Sequence, residues 1–487
     1  MLQLHSATKA AHHKKALFHF CLLYLFYFGI LSIFIALIDR SYKGLDEFSH
    51  LLTLDQLSAR FKVNDVGYFA TAAIDISKSG WISASNAWIL NLWPPGFILV
   101  QVFISKAFGY EAPIPLLLQA LACFQYSAVL LLVNLLARKV IRSRVLAVAY
   151  PLLFFVPEVS RNFLLGPIGV LHGESLALGF FLLGFLIILL FSVNSQRIIL
   201  DLAGGALIGL SAYFRSNFEI YTTTLSLMGV FLVTSSLLCK RMDLVVCSHL
   251  RRVILVTIIA CFLVMAPWRI YRLATVGHAD WVLTSQLVYS NQLRTNSDLL
   301  RDNGLWLVEG GANVACRIDS SKCGKTNDPK SKVLEVFFRS PFRWISYKFA
   351  LAPSYFMAPI VCDTSFSNPG LDCHNSGAGK YYVRISPEFA GMAVSWPRPI
   401  FLAAFLFTYI YQAFSLFCCP IRTNMKALAL LFWFNTAFVL ATFAIMAIVH
   451  FEIRYFFAPF IFCVASGMTG MMMIPRWHVK GLNVQTK

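Results

Sequence analysis

Apolar runs and short polar segments alternate along the chain from Leu17 almost to its end. The runs cover about 17–38, 94–108, 113–137, 145–157, 174–193, 198–214, 219–238, 253–270, 399–418, 426–449 and 455–474. Most approach the ~20 residues that a helix needs to cross a hydrocarbon core. A soluble fold buries one or two such runs, not this many. A lipid-exposed backbone must satisfy its own hydrogen bonds, so each run is read as a helix. The pattern predicts an all-α polytopic membrane protein with about 10–12 transmembrane helices and with juxtamembrane helices and loops on its outer face.

The polar segments divide the chain into a cytoplasmic N-terminus (1–16), a transmembrane core (17–270) with a first outer loop at 39–93, an outer-face region (271–398) with a juxtamembrane helix, C-terminal transmembrane helices (399–474) and a cytoplasmic tail (475–487). The first run is too long for a signal-peptide core and is expected to be a retained span. Between Val66 and Trp81, Phe69, Ala72, Ala73 and Ile76 recur at helical spacing and Lys78 lies off that stripe. This suits a short helix lying on the membrane surface. The stretch 338–361 mixes Arg343 and Lys348 with aromatic residues and is expected to lie on the surface or re-enter the membrane.

Basic clusters such as Arg138, Lys139, Arg142 and Arg144 mark inner ends by the positive-inside rule. They raise a parity conflict. The loop before Pro94 and the cluster after Ala137 should face opposite sides, yet two full spans between them would return the chain to one side. Either one stretch is re-entrant or the charge rule fails there.

Composition sharpens the class. Of 487 residues, 58% are hydrophobic and only 13% charged, too few charges to cover a soluble surface. The net charge of +18 lies in short segments between runs, where anionic lipid is the partner. No zinc-finger, recognition-helix or basic-aromatic pattern points to nucleic acid. Eight of the twelve cysteines lie in or beside spans. The other four, Cys316, Cys323, Cys362 and Cys373, lie in polar loops without zinc-ligand spacing around them, which suggests disulfides on an oxidising face. Pairing within each loop is expected, although three connectivities exist. There is no P-loop, GxGxxG, HExxH or GxSxG pattern, so an ATPase, a dehydrogenase and a zinc protease are unsupported. The absence of an Asn-x-Ser/Thr sequon favours a bacterial envelope, with the inner membrane as location and the working face toward the periplasm.

Candidate chemistry crowds the outer face. Asp65 could act as a general base, and Asp46-Glu47 is a rival acidic pair. Glu174 stands at the mouth of a span, where a helix-start acid is also favoured by the dipole. Arg215 and Arg454 lie at outer span ends, suited to phosphate or to snorkelling toward headgroups. Arg269 and Tyr68 are further candidates.

Several short motifs fall in a recognisable order. The first outer loop reads Asn64-Asp65-Val66-Gly67-Tyr68, then Ala72, Gly80-Trp81 and Trp93-Pro94-Pro95-Gly96. Gly209 through Arg215, Pro267-Trp268-Arg269 with Asn291, and Glu452-Ile453-Arg454-Tyr455 follow. Together they resemble the glycosyltransferase C superfamily, in its protein mannosyltransferase and aminoarabinose transferase branch, over most of residues 17–474. The family's Asp-Glu pair is Asn64-Asp65 here, so the resemblance puts the catalytic role on Asp65. Its Lys before Pro-Pro is Trp93 here. The resemblance implies an inverting transferase that moves a sugar from a polyprenyl-phosphate donor in membrane lipid to a lipid, glycan or protein acceptor. It implies catalytic roles for Asp65 and Glu174, the latter orienting the acceptor or binding a divalent metal. Substrate contacts would come from Tyr68, Asp46, Glu47, Arg215, Arg269, Arg454 and Tyr455. No resident cofactor is implied. The alternatives are a transporter or flippase of lipid-linked or small polar substrates, and a polysaccharide polymerase or ligase. A transporter should show paired broken spans related by a repeat, and the sequence has none.

Overall fold

The computed structural model describes residues 2–41, 51–61, 65–192, 197–238, 247–277, 289–295, 314–324, 326–357, 398–417, 425–448 and 454–474. Asp46, Glu47, Asn64, Cys362 and Cys373 lie outside the described residues. All regular structure among the described residues is helical. Among the described residues, eight helices are long and apolar enough to cross a membrane: Leu17–Ile38 within α1 (Leu2–Ser41), α6 (Ile114–Arg138), α10 with its π-helical end (Glu174–Ser192), α12 (Asn217–Leu238), α13 (Ser248–Val276), α17 (Arg398–Phe417), α18 (Met425–Ile448) and α19 (Arg454–Met473). The chain is an integral membrane protein.

Contacts between helices fix their directions. The Tyr24 hydroxyl of α1 donates to the Phe124 carbonyl of α6 (2.9 Å), and Arg138 at the far end of α6 pairs with His19 (2.9 Å). The Ile114 amide donates to the Leu52 carbonyl (3.0 Å). Helix α6 therefore starts beside the first outer loop and ends, at its basic cluster, beside the start of the first span.

This resolves the parity conflict and corrects the expected span at 94–108. Helix α5 (Gly96–Phe108) has 13 residues, about 20 Å of helix, which is short of a ~30 Å core. Its first residue abuts Tyr213 at the outer end of α11 (Ile198–Phe214), and Ser105 donates to Ser77 of α3 (Asp65–Ser79) at 3.2 Å. Both ends of α5 lie on the side of the first loop, the side that the sequence leads us to expect as the outer one. The first outer loop thus extends to residue 113 and holds α2 (Leu54–Arg60), α3, α4 (Trp88–Leu92) and α5. Helix α3 starts one residue before its expected position. Its apolar face, with Val66, Phe69, Ala72, Ala73 and Ile76, is buried in protein rather than laid on lipid.

The expected span at 145–157 is also corrected. Residues 144–171 form a broken run: α7 (Arg144–Ala149), a 3-10 turn Tyr150–Phe155, α8 (Glu158–Leu164) and α9 (Pro167–Leu171). Pro151, Pro157 and Pro167 each lack an amide donor and interrupt a continuous helix. The run climbs α6 in reverse: Asn134 donates to the Ala147 carbonyl (2.6 Å) and Gln119 to the Leu165 carbonyl (3.0 Å). With it and α11, the eight long helices make ten traverses among the described residues.

Small residues let α11 touch two neighbours almost backbone to backbone. A Cβ on Gly204 would meet Ile188 at 2.5 Å, while Cβ atoms on Gly205 and Gly209 would meet the Thr257 and Cys261 carbonyls of α13 at 2.5 and 2.7 Å. This is small-residue packing of the kind that drives helix association in lipid. It holds the outer end of α11, and hence Arg215, in one place. At the inner end Asp201 pairs with Arg252 of α13 (3.4 Å).

On the outer side, α14 (Val314–Ile318), α15 (Pro329–Arg339) and α16 (Pro341–Met357) share a small core of Tyr289, Leu293, Val314, Val333, Val336 and Trp344. A Cys316–Cys323 disulfide closes its first turn. The expected helix across 338–361 is broken at Ser340–Pro341. Helix α16 is anchored to protein: Trp344 Nε1 and Lys348 Nζ both donate to the Ala447 carbonyl at the end of α18 (2.9 and 3.2 Å). Lys348 is fully buried, and burial brings its pKa down to about 7.

Candidate functional site

Three helices that start or stop on the outer side bring three charged residues together. Asp65 opens α3, in the first turn, where the helix dipole favours a carboxylate. Ser58 of α2 hydrogen-bonds Thr71 (2.7 Å) and steadies that helix.

Glu174 opens α10. Gly173 before it has φ +76°, and a Cβ there would lie 2.8 Å from the Phe97 ring, so both backbone and space require glycine. The first turn of α10 is pinned to its neighbours. The Tyr126 hydroxyl donates to the Ser175 carbonyl (2.6 Å), the Gln125 amide to the Leu176 carbonyl (3.1 Å), and Ser175 Oγ to the Leu164 carbonyl (2.6 Å).

Arg215 caps α11 in an extended conformation, where the chain turns to α12. Its side chain folds inward over the Phe69 ring, 5.8 Å from the centroid. Nη2 donates to Asp65 Oδ2 at 2.6 Å, and Nε lies 3.2 Å from Glu174 Oε1. The Arg215 and Glu174 side chains are 4% and 1% exposed, and that of Asp65 17%. One guanidinium therefore holds two carboxylates, and of the three side chains Asp65 is the most open. Asp65, Glu174 and Arg215 come from distant parts of the sequence and all three were candidates there. The sequence suited Arg215 to phosphate or to snorkelling; in the structure its guanidinium pairs with the Asp65 and Glu174 carboxylates.

An aromatic wall adjoins Asp65. Tyr68, one turn along α3, stacks on Trp93 (5.8 Å, 28°) and meets Trp88 edge-on (4.9 Å, 77°). Phe69 meets Trp93 and Phe97 edge-on. Burial, and then the Asp65 charge, push the Tyr68 phenol above its ordinary pKa, so it stays protonated. The turn that delivers Trp88 is organised by Asp75. Its carboxylate accepts from Ser83 N (3.1 Å), Ser83 Oγ and Asn86 Nδ2 (2.9 Å). Burial raises the Asp75 pKa, and these hydrogen bonds more than offset it, holding the carboxyl below its usual range.

On the far side of the loop, Arg272 of α13 donates to the Asn91 carbonyl of α4 and ties the first outer loop to the spans. Arg269 pairs with Glu219 of α12 (3.0 Å) and is partly exposed. Tyr271 stacks on Trp268 and meets Trp81 edge-on. Arg454 and Tyr455 begin α19, and their side chains lie outside the described residues. Phe457, one turn on, meets Phe163 of α8 at 5.3 Å, so α19 begins on the outer side. Among the described residues no three His, Cys, Asp or Glu side chains form a group able to hold a metal ion.

Asp75, Phe69 and Trp88 are site residues that sequence reasoning missed. The partners of Asp75 lie eight and eleven positions on, and no local pattern signals them.

The sequence matches no protein-family profile and no curated protein. Among solved structures, the chain is similar to the archaeal oligosaccharyltransferase AglB from Archaeoglobus fulgidus, in complex with an inhibitory peptide and a dolichol-phosphate (TM-score 0.40, 14% identity). The match covers 95% of this chain but 52% of that one, so the chain spans about half the length of that relative. It is also similar to ArnT from Cupriavidus metallidurans bound to undecaprenyl phosphate (TM-score 0.34, 12% identity, 92% of this chain and 78% of that one).

Proposed function

We propose that the chain is a membrane glycosyltransferase that moves a sugar from a polyprenyl-phosphate donor to an acceptor at its outer, periplasmic face. The observation that carries this reading is the buried Asp65–Arg215–Glu174 cluster. Asp65 and Arg215, singled out by the order of motifs, and Glu174, singled out at the mouth of a span, meet in space, at the side of the molecule from which a lipid-borne donor and a water-borne acceptor could both approach.

In the proposed reaction Asp65 takes the proton of an acceptor hydroxyl. The acceptor oxygen attacks the anomeric carbon as the carbon–oxygen bond to phosphate breaks. The polyprenyl phosphate leaves with the bonding pair, and the configuration inverts. Correct placement of the base matters as much as its presence, because general-base catalysis contributes about 10²–10⁴-fold only within hydrogen-bond reach. Arg215 is assigned to that placement: it holds Asp65 from one side and Glu174 from the other. Arg269, the more exposed cation, is assigned to the leaving phosphate, with Arg454 as its partner from α19. A divalent metal, if used, would have Asp65 and Glu174 as its nearest carboxylates, in competition with Arg215.

The test is transfer of radiolabelled sugar from a panel of polyprenyl-phosphate hexoses and aminopentoses, with the purified full chain in lipid nanodiscs and an envelope extract as acceptor. Donor-dependent transfer of label supports the reading. Label that stays on the carrier with every donor, while the carrier is moved between leaflets, would replace it with a flippase.

A further inference from the structure

The aromatic wall beside Asp65 has a shape and a polarity that packing alone does not require. Tyr68 lies three residues after Asp65 in α3, so both face the same side of that helix. The Tyr68 and Trp93 rings are near parallel, and Trp88 stands almost perpendicular to Tyr68, which makes an inside corner of two aromatic faces. Trp93 is buried, whereas Tyr68 is half-buried and Trp88 is 39% exposed. The open part of the corner is therefore Tyr68 and Trp88, and it borders the one carboxylate of the cluster that is open as well. The corner is held from behind: Asp75 fixes the 83–86 turn, and Arg272 grips Asn91. A surface built only to float in lipid headgroups has no need of such bracing.

We infer that Tyr68 and Trp88 form the subsite for the sugar ring of the donor, a pyranose that lays its C–H face on the aromatic corner and turns its hydroxyls toward Asp65 and the Tyr68 phenol. This inference rests on the function proposed above and names where the transferred group sits. The chemistry fits. A pyranose has one face rich in polarised C–H bonds, which the negative face of an aromatic ring attracts, and hydroxyls at its rim that need polar partners. The corner supplies two ring faces, and the polar tips of Tyr68 and Trp88 supply a hydroxyl and an indole N–H. Pockets that bind small polar molecules combine apolar walls with a few placed polar groups in this way. Trp93, where the resembled family carries Lys, backs Tyr68 as a ring and cannot act as a charge, so it holds the sugar platform rather than the phosphate.

The competing account is an ordinary aromatic belt at the membrane interface. The two differ in whether the headgroup sugar is felt. The experiment is binding of synthetic C55 polyprenyl phosphate and of its mannosyl and glucosyl esters to the full chain in nanodiscs, for wild type, Trp88→Ala, Trp88→Phe and Tyr68→Phe. Wild type is expected to prefer at least one sugar ester over the bare phosphate by about tenfold, the worth of one good ring contact. Trp88→Ala should lose that preference while binding the bare phosphate as wild type does. Trp88→Phe, which keeps a ring face, should retain most of it and so serves as the folding control. Tyr68→Phe should lose the part owed to the hydroxyl. A Trp88→Ala protein that keeps the preference, or that weakens bare phosphate and sugar ester alike, would overturn the subsite and leave the transferase reading standing. A wild type that transfers no label and binds ester and phosphate equally would remove both.

Discussion

Arg215 is the residue on which the local electrostatics turn. It is buried between two carboxylates, and a buried ion pair broken from one side typically costs about 3–5 kcal/mol because charge is left uncompensated. Arg215→Ala should therefore lower stability by roughly that amount in thermal unfolding in detergent. Asp65→Asn combined with Arg215→Ala should recover part of the loss, since it removes one of the two stranded charges. Strict additivity of the two changes would show that the pair does not interact. Lys348 gives a second prediction at this scale. Its pKa near 7 lies below its ordinary unfolded value, so the unfolded chain binds more protons between pH 7 and that value. Stability must then rise as pH rises through that window. Hydrogen exchange of the α16 amides should slow from pH 7 to pH 9 relative to a Lys348→Met variant, in which that difference should be absent. An identical pH response in both proteins would contradict the assignment.

At the scale of elements, the order of helices was legible because hydrophobic runs of span length admit few other readings. Helix α3 was legible from four apolar residues at helical spacing, and its start came within one residue. Legibility failed where tertiary contact decides the outcome. The run at 94–108 reads like any other apolar segment. What makes α5 a re-entrant helix is its contact with Tyr213 and Ser77, which periodicity does not carry. In the same way, Pro151, Pro157 and Pro167 were visible, but not that the pieces between them stack into one traverse along α6. For the site, Asp65, Glu174 and Arg215 were visible as outer-face charges in a familiar order of motifs, and their meeting was not. The glycines of α11 carry a prediction here. Gly209→Leu would press a side chain onto the Cys261 carbonyl, which a Cβ alone already meets at 2.7 Å. It should destabilise by about 1–3 kcal/mol or more, and move Arg215 with the helix end. Transfer should fall even in the fraction of protein that stays folded; a variant with normal stability and activity would show that α11 and α13 are not so close.

At the scale of the whole molecule, the ten traverses place α2 to α5, the α14–α16 core and the start of α19 on one side, and the basic end of α6 on the other. Single cysteines in a background without the native free ones should label accordingly. Ser85→Cys and Tyr110→Cys should react with a membrane-impermeant maleimide from the same side, and Arg142→Cys only from the opposite one. Labelling of Tyr110→Cys together with Arg142→Cys would restore a full crossing at 94–108 and break the proposed continuity of the first outer loop. That continuity is what brings α3 and its carboxylate to the ends of α10 and α11, and it is the frame on which the proposed chemistry depends.

The most direct test of that chemistry separates donor binding from turnover in Asp65→Asn. The measurement is single-turnover transfer of radiolabelled sugar from a saturating polyprenyl-phosphate donor, beside equilibrium binding of the same donor, in wild type and variant of matched expression. A general base worth about 10²–10⁴-fold predicts transfer reduced at least 100-fold with donor affinity within a few-fold of wild type. Equal transfer by the two proteins would contradict the account and move the base away from Asp65.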